Sequence, residues 1–321
     1  MNRPRVVVSE TLDPVCAAWL EERATVTRLE PENRTGLLAA VADADGLVVR
    51  TYTRVDSEAL AAGPRLRVVG RAGVGLDNID LPACRARGVA VVHTPDANTQ
   101  AVVEYFWALV LDHIRPRHRL VAVPTTPEWH RLRTDVVGRR QLNELTLGVL
   151  GVGRIGSRVA RLALDFGMRV VAHDLLGEEV VRGRVPGALE FVPPERVFAE
   201  SDILTLHVDG RPANRGLITA GKLALFKGSC LFVNTARGML VDAGALAAWA
   251  RRAAPAGGAA LLDVHDPEPI TRDYPLLGLP NVALAPHLAS RTETAMRNMS
   301  WVVRDVMEVL EGRVPEFPAA P

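Results

Sequence analysis

The stretch 147–174, LGVLGVGRIGSRVARLALDFGMRVVAHD, constrains this chain more than any other. A short apolar run leads into Gly151, Gly153 and Gly156 in the order G-x-G-x-x-G, and Val159, Leu162, Ala163 and Phe166 then recur at helical spacing. RVVAHD restores strand character and ends on Asp174, about twenty residues past the glycines. The order predicts a strand, a tight turn, a helix and a second strand. Gly151 permits the turn, Gly153 lets a pyrophosphate approach the backbone, and Gly156 lets helix and strand pack closely. Phosphate oxygens would meet the free N–H groups and positive dipole of the helix start. Asp174 would accept hydrogen bonds from an adenosine ribose and repel a 2′-phosphate. Leu175 and Leu176 follow it, with no immediate Arg or Lys. The expected cofactor is therefore NAD rather than NADP. Such a turn normally opens its domain, yet here it sits at mid-chain.

The residues before it have their own rhythm. RVVVSE, GLVVRT, LRVVGRAG and VAVVHTP read as strands, and PVCAAWLEER, SEALAAG and LPACRARG as the helices between them. Beyond the turn, DILTLHV, SCLFVNTA, GAALLDV and NVALAPH continue the alternation. Strand alternating with helix predicts two α/β units, each a doubly wound parallel sheet. Between them, 101–116 (AVVEYFWALVLDHIRP) is apolar nearly all round a helix and must be covered on several sides, within the chain or across a subunit interface. The segment 117–143, with many arginines and two prolines, reads as an arm. ETAMRNMSWVVRDVMEVLEG reads as an amphipathic helix, and RVPEFPAAP as a tail.

Charge excludes some partners. With 38 basic and 37 acidic residues in 321, the chain has no overall pull toward nucleic acid or anionic lipid. No apolar run is long enough to span a bilayer, and MNRPRVVVSE has too short an apolar core for a secretory signal. Cys16, Cys84 and Cys230 are widely spaced and odd in number, which suits reduced thiols in a cytoplasm.

In doubly wound sheets, ligands gather outside the carboxyl ends of the strands. Reading those ends in order gives Arg237 in NTARG, Asp263 and Glu268 in LLDVHDPEP, and His287 in APHLAS. A planar guanidinium grips a carboxylate by two parallel bonds. An imidazole takes a hydroxyl proton as hydride leaves carbon, and a neighbouring carboxylate favours its cationic form. Arg237, Glu268 and His287 therefore suit hydride transfer on a hydroxy or keto acid.

These motifs in this order resemble the D-2-hydroxyacid dehydrogenase family: GVGRIG, NTARG, the D-x-x-x-x-E-P of Asp263 to Pro269, and Pro286-His287. The resemblance covers essentially the whole chain. It implies a substrate domain of flavodoxin-like type split between 1–98 and 289–321, with a Rossmann-type NAD domain, 99–288, inserted. The mid-chain position of the glycine turn follows from that insertion. The resemblance assigns substrate binding to Arg237, support of the histidine to Glu268 and acid–base exchange to His287. It gives cofactor contacts to Arg154, Ile155, His207, Val208, Thr235, Ala236 and Asp263. The backbone around Val74 and Gly75 in RAGVGLDNID matches the family loop that meets the substrate carboxylate. No metal is implied.

SETLDP, GLVVRTYTRV and VVGRAGVGLDNIDL are most similar to the phosphoglycerate dehydrogenase branch, in a short form without C-terminal regulatory domains. That likeness implies oxidation of 3-phosphoglycerate to 3-phosphohydroxypyruvate, at the entry to serine synthesis. Arg50 and Arg131, the latter in a W-x-R within the arm, are then the candidates for the phosphate. Reduction of glyoxylate or hydroxypyruvate is the alternative within the family, and an NAD(H)-sensing co-repressor-like binding protein the alternative outside enzymes. A homodimer that buries the 101–116 helix is expected. Three departures bear on the substrate: Asp209-Gly210 where Pro-Leu is usual, R-G-M for R-G-G, and His265 where Phe is typical.

Overall fold

The computed structural model describes residues 3–117, 119–135 and 140–319. The chain forms two compact units, Met1–Ala101 with Ser290–Pro321, and Val102–Ala289.

In the first unit five strands, β1 (Arg5–Val8), β2 (Thr25–Arg28), β3 (Gly46–Val49), β4 (Val68–Arg71) and β5 (Ala90–His93), form one sheet in the order β2-β1-β3-β4-β5. Every pairing is parallel. Successive side chains of a strand point to opposite faces, and the valine-rich runs exploit this. Val6, Val8, Val48, Val68 and Val92 pack on one face with Cys16, Leu20, Val302, Val303 and Val306. Val7, Leu47, Val49, Val69 and Val91 pack on the other with Leu37, Val41 and Leu60. The last segment forms two helices, Glu293–Ser300 and Val302–Leu310, rather than one. The second lies so close to β4 that a Cβ on Gly70 would fall 2.4 Å from Val306 Cγ2. Beyond it the tail returns to the sheet: His93 N–H donates to Phe317 O and Ala319 N–H to Val91 O, covering the β5 edge.

The second unit holds β6 (Thr146–Leu150), β7 (Arg169–His173), β8 (Leu189–Phe191), β9 (Ile203–Leu206), β10 (Leu231–Asn234), β11 (Ala259–Leu262) and β12 (Val282–Leu284). Their order, β12-β11-β10-β9-β6-β7-β8, is again wholly parallel. The chain winds outward one way from β6 and the other way from β9. The switch point between those two central strands is where such sheets bind nucleotides. Leu147, Val149, Val170, Ile203 and Val233 face Val159, Ala160 and Ala163 of the helix Arg154–Asp165. Leu204, Leu206, Phe232 and Leu262 face Leu246, Trp249 and Ala250 on the other side.

The helix Thr99–Ile114 buries Phe106, Trp107 and Val110 but exposes Glu104, Ala108, Leu111 and Asp112 along one side. Its coverage inside the chain is thus less than its composition demands, with a stripe of two acidic and two apolar residues left bare. The arm contains the helix Thr126–Thr134, closed at its start by a Thr125–Glu128 capping box and with no buried residue.

Candidate active site

The glycine turn follows β6. Gly151 has φ +92°, and a Cβ there would lie 2.7 Å from His207 O. A Cβ on Gly156 would lie 2.0 Å from Gly151 O, so the helix presses directly on the turn. Gly153, by contrast, opens into empty space and stands at the start of the helix Arg154–Asp165, which no side chain caps. The first N–H groups of that helix and its positive end are therefore available to an anion. Arg154 is exposed beside them, and Ile155 is half-buried against the core.

Asp174 ties this turn to the end of β7. Its Oδ2 accepts the Val152 N–H at 2.6 Å and its Oδ1 the Leu176 N–H at 2.8 Å, which leaves further lone pairs on both oxygens. Arg184, remote in sequence, donates to Val152 O at 3.0 Å, so both backbone groups of that residue are engaged. His207, just past β9, donates its backbone N–H to Leu150 O. Its Nε2 stands 3.1 Å from Thr205 Oγ1, and burial pushes the imidazole down to about 3. Val208 crowds Gly151 from the same strand end. Past β10, the Thr235 hydroxyl is buried without a hydrogen-bond partner, and Ala236 N–H donates to Asn234 Oδ1 at 3.0 Å. An open cradle at Gly153, an uncapped helix start and an orphaned Thr235 hydroxyl fit a dinucleotide.

The titratable groups lie at the next three strand ends. Asn234, which the sequence reading passed over, accepts from Ala236 and donates Nδ2–H to Arg237 O at 2.9 Å, so it shapes the loop that carries Arg237. Arg237 is half-buried, with Nη1 donating to Ala236 O at 2.7 Å. Asp263 follows β11 and is fully buried. Its carboxylate accepts the N–H groups of Leu288 at 2.6 Å and Ala289 at 2.9 Å. Its backbone carbonyl accepts the N–H of His287 at 2.9 Å. Burial, reinforced by Glu268, raises the Asp263 pKa against the pull of those N–H groups and of His287. Tyr105, also unmarked in the sequence, is close enough that Asp263 adds to burial in raising its phenol.

His287 sits on the turn so held, with φ +55°, a left-handed conformation uncommon for a side chain other than glycine. Its Nδ1 is 2.8 Å from Glu268 Oε2. Glu268 Oε1 accepts the His265 N–H at 2.8 Å. Burial works to raise the Glu268 pKa. The hydrogen bond and charge of His287, with the His265 N–H, outweigh it and hold the carboxyl below its usual range. An imidazole held through Nδ1 by a carboxylate leaves Nε2 to exchange a proton.

The other candidates belong to the first unit and to the arm. Val74 and Gly75 are half-buried in the loop after β4, where His93 Nδ1 stands 3.0 Å from Val74 O. Arg50, at the end of β3, is buried rather than solvated. Its Nη1 donates to Thr11 O at 3.1 Å, its Nη2 lies 3.0 Å from Met296 Sδ, and its Nε has no partner. Burial, then the nearby Arg291, lower its pKa. Arg131 lies on the exposed helix Thr126–Thr134 and pairs with Asp135 at 3.0 Å. Among the described residues, no cluster of His, Cys, Asp or Glu is placed to hold a metal ion.

What the sheet order and the glycine turn define together is a nucleotide-dependent dehydrogenase. The family model described as "D-isomer specific 2-hydroxyacid dehydrogenase, NAD binding domain" matches residues 107–289. The chain belongs to the D-isomer specific 2-hydroxyacid dehydrogenase family, an oxidoreductase whose cofactor is NAD. It is 36% identical to a glyoxylate reductase of Aeropyrum pernix, covering 98% of this chain and 95% of that protein. It is 38% identical to a D-3-phosphoglycerate dehydrogenase of Mycobacterium bovis over 98% of this chain, which spans 59% of that relative's length. Among solved structures, the TT0316 protein of Thermus thermophilus superposes with a TM-score of 0.82 at 34% identity, covering 98% of this chain and 100% of that one.

Proposed function

We propose that the chain interconverts a D-2-hydroxy acid and its 2-keto acid, with 3-phosphoglycerate and 3-phosphohydroxypyruvate as the pair. The observation that carries the chemistry is the 2.8 Å contact between Glu268 and His287, on a turn pinned by Asp263. NAD, when bound, supplies the hydride acceptor. Gly151, Gly153, Arg154, Ile155 and Gly156 would hold its pyrophosphate, and Asp174 its adenosine ribose. His207, Val208, Thr235, Ala236 and Asp263 would line the nicotinamide side. Arg237 would grip the substrate carboxylate through its guanidinium fork. His287 Nε2 takes the hydroxyl proton in oxidation and returns it in reduction, while Glu268 Oε2 keeps the ring oriented through Nδ1. Val74 and Gly75 are proposed as further contacts to the substrate.

The phosphate reading rests on the likeness of the N-terminal motifs SETLDP, GLVVRTYTRV and VVGRAGVGLDNIDL to phosphoglycerate dehydrogenases, on 38% identity to one of them along the chain, and on the unpartnered Nε of Arg50. Arg131 is the second proposed cation. A second reading, reduction of glyoxylate or hydroxypyruvate, is favoured by the relative that this chain matches along nearly its whole length. It is also favoured by the engagement of Arg50 with Thr11 and Met296. Steady-state rates of reduction with 3-phosphohydroxypyruvate, glyoxylate and hydroxypyruvate decide between them. Higher kcat/KM on the phosphorylated acid supports the first reading, and equal or lower kcat/KM overturns it.

We propose a homodimer in the cytoplasm. Val121 and Val123 of the arm are each 97% exposed, and Leu120 and Trp129 of the same arm are about half exposed, apolar surface that a partner subunit would cover. The three cysteines are free and buried. Among the described residues, no helix is long and apolar enough to cross a membrane. A monomer in sedimentation at micromolar concentration would refute the dimer.

A further inference from the structure

A second imidazole stands in the wall around Glu268 and His287. His265, where the family resemblance expects Phe, is buried, and its surroundings reach all three of the strand ends that carry Arg237, Glu268 and His287. Its backbone N–H holds Glu268 Oε1, which leaves Oε2 for His287. Its Nε2 is 2.8 Å from Ala285 O. A carbonyl only accepts, so Nε2 carries the hydrogen. That same carbonyl accepts the His287 N–H at 3.0 Å. One oxygen therefore anchors both the His265 ring and the turn in which His287 takes its left-handed conformation. On the third side, Gly238, next to Arg237, lies directly on the His265 peptide, since a Cβ there would fall 1.9 Å from the His265 carbonyl carbon. The Tyr274 ring closes the wall edge-on at 5.5 Å. Nδ1 has no hydrogen-bond partner, so the polar anchoring of the ring comes from Nε2.

From this we infer that His265 is a positioning residue for the reaction: its Nε2–H bond to Ala285 fixes the His287 turn against Glu268 and so sets the angle at which His287 meets the reacting oxygen. The inference rests on His287 as the acid–base group. Phe at this position keeps the ring volume and the Tyr274 contact but removes the donor. Gln places an amide N–H at comparable reach from the same carbonyl. An acid–base group displaced from its attack geometry slows the chemical step without altering cofactor binding.

The test compares wild type, His265→Phe, His265→Gln and His287→Ala as full chains. The readouts are kcat, KM, NADH affinity and the primary isotope effect with deuterated NADH. The substrate is whichever of glyoxylate and 3-phosphohydroxypyruvate turns over faster. His265→Phe should lower kcat about fivefold to tenfold, the scale of one lost hydrogen bond. It should leave NADH affinity unchanged and enlarge the isotope effect. His265→Gln should recover most of the lost rate. Wild-type kcat in His265→Phe, or equal losses in the Phe and Gln variants, would overturn the proposal. Wild-type turnover in His287→Ala would instead overturn the acid–base reading on which it depends. A dead His287→Ala beside a normal His265→Phe would remove this inference alone.

Discussion

Replacing Asp263 with Asn tests whether a buried carboxylate holds the His287 turn. In the wild type two backbone N–H groups, from Leu288 and Ala289, converge on its two oxygens at 2.6 and 2.9 Å. An amide of the same shape offers one acceptor and turns its N–H groups toward the second donor. One charge-assisted bond is lost, worth about 1.5–3 kcal/mol, and a buried N–H is left facing another donor. Against that, burial already disfavours the charge, as the raised pKa of Asp263 records, so removing it returns part of the loss. A net destabilisation of about 1–3 kcal/mol follows, concentrated at the turn. Urea unfolding should show a lower midpoint with an unchanged slope. Turnover should fall by roughly 10–10², because a displaced imidazole no longer meets the substrate oxygen. Wild-type stability with a raised KM for NADH alone would mean that Asp263 serves the cofactor and not the turn. Wild-type stability and turnover together would refute the reasoning outright.

Two further outcomes follow from the same geometry. Efficiency with NADH should exceed that with NADPH, because Asp174 places a carboxylate where the extra phosphate would sit; equal efficiency in steady-state assays would contradict this. The Glu268 carboxyl is held below its unfolded value of about 4.3, so its partnership contributes stability above that pH and loses it as pH falls through the lowered folded value. The stability difference between wild type and Glu268→Gln in urea should therefore shrink between pH 6 and pH 3, and a constant difference would remove the linkage.

How much of this was legible before the structure depends on whether a residue announces itself locally. The glycine turn is read from spacing alone, because each glycine answers a steric demand within a few residues: Gly151 a positive φ, Gly156 a contact with the turn itself. The central strands are valine- and leucine-rich runs buried on both faces, and they read directly. β2 does not. TVTR is an edge strand with mostly exposed side chains, paired to β1 only, so it carries no apolar run. The β8 edge, only three residues long, escapes for a similar reason. At the site, Arg237, Glu268 and His287 are visible as charges that end apolar runs. Asn234 ends such a run without a charge and shapes only its own loop, whereas Tyr105 and His265, the latter visible just as a departure from the family pattern, act through partners on other elements. The sequence marks Arg50 only as a candidate for the phosphate; the structure adds that its guanidinium is internal, against Thr11 and Met296. The tail was marked only as a tail, because its pairing with β5 uses backbone groups that any sequence has.

The central claim is that His287, oriented by Glu268, moves the proton that accompanies hydride transfer. Stopped-flow oxidation of NADH by the His287→Ala chain tests it most directly, with glyoxylate and 3-phosphohydroxypyruvate as parallel substrates. NADH affinity should be unchanged and the hydride-transfer rate lower by roughly 10²–10⁴ on whichever acid the wild type reduces. A wild-type rate in that variant would contradict it.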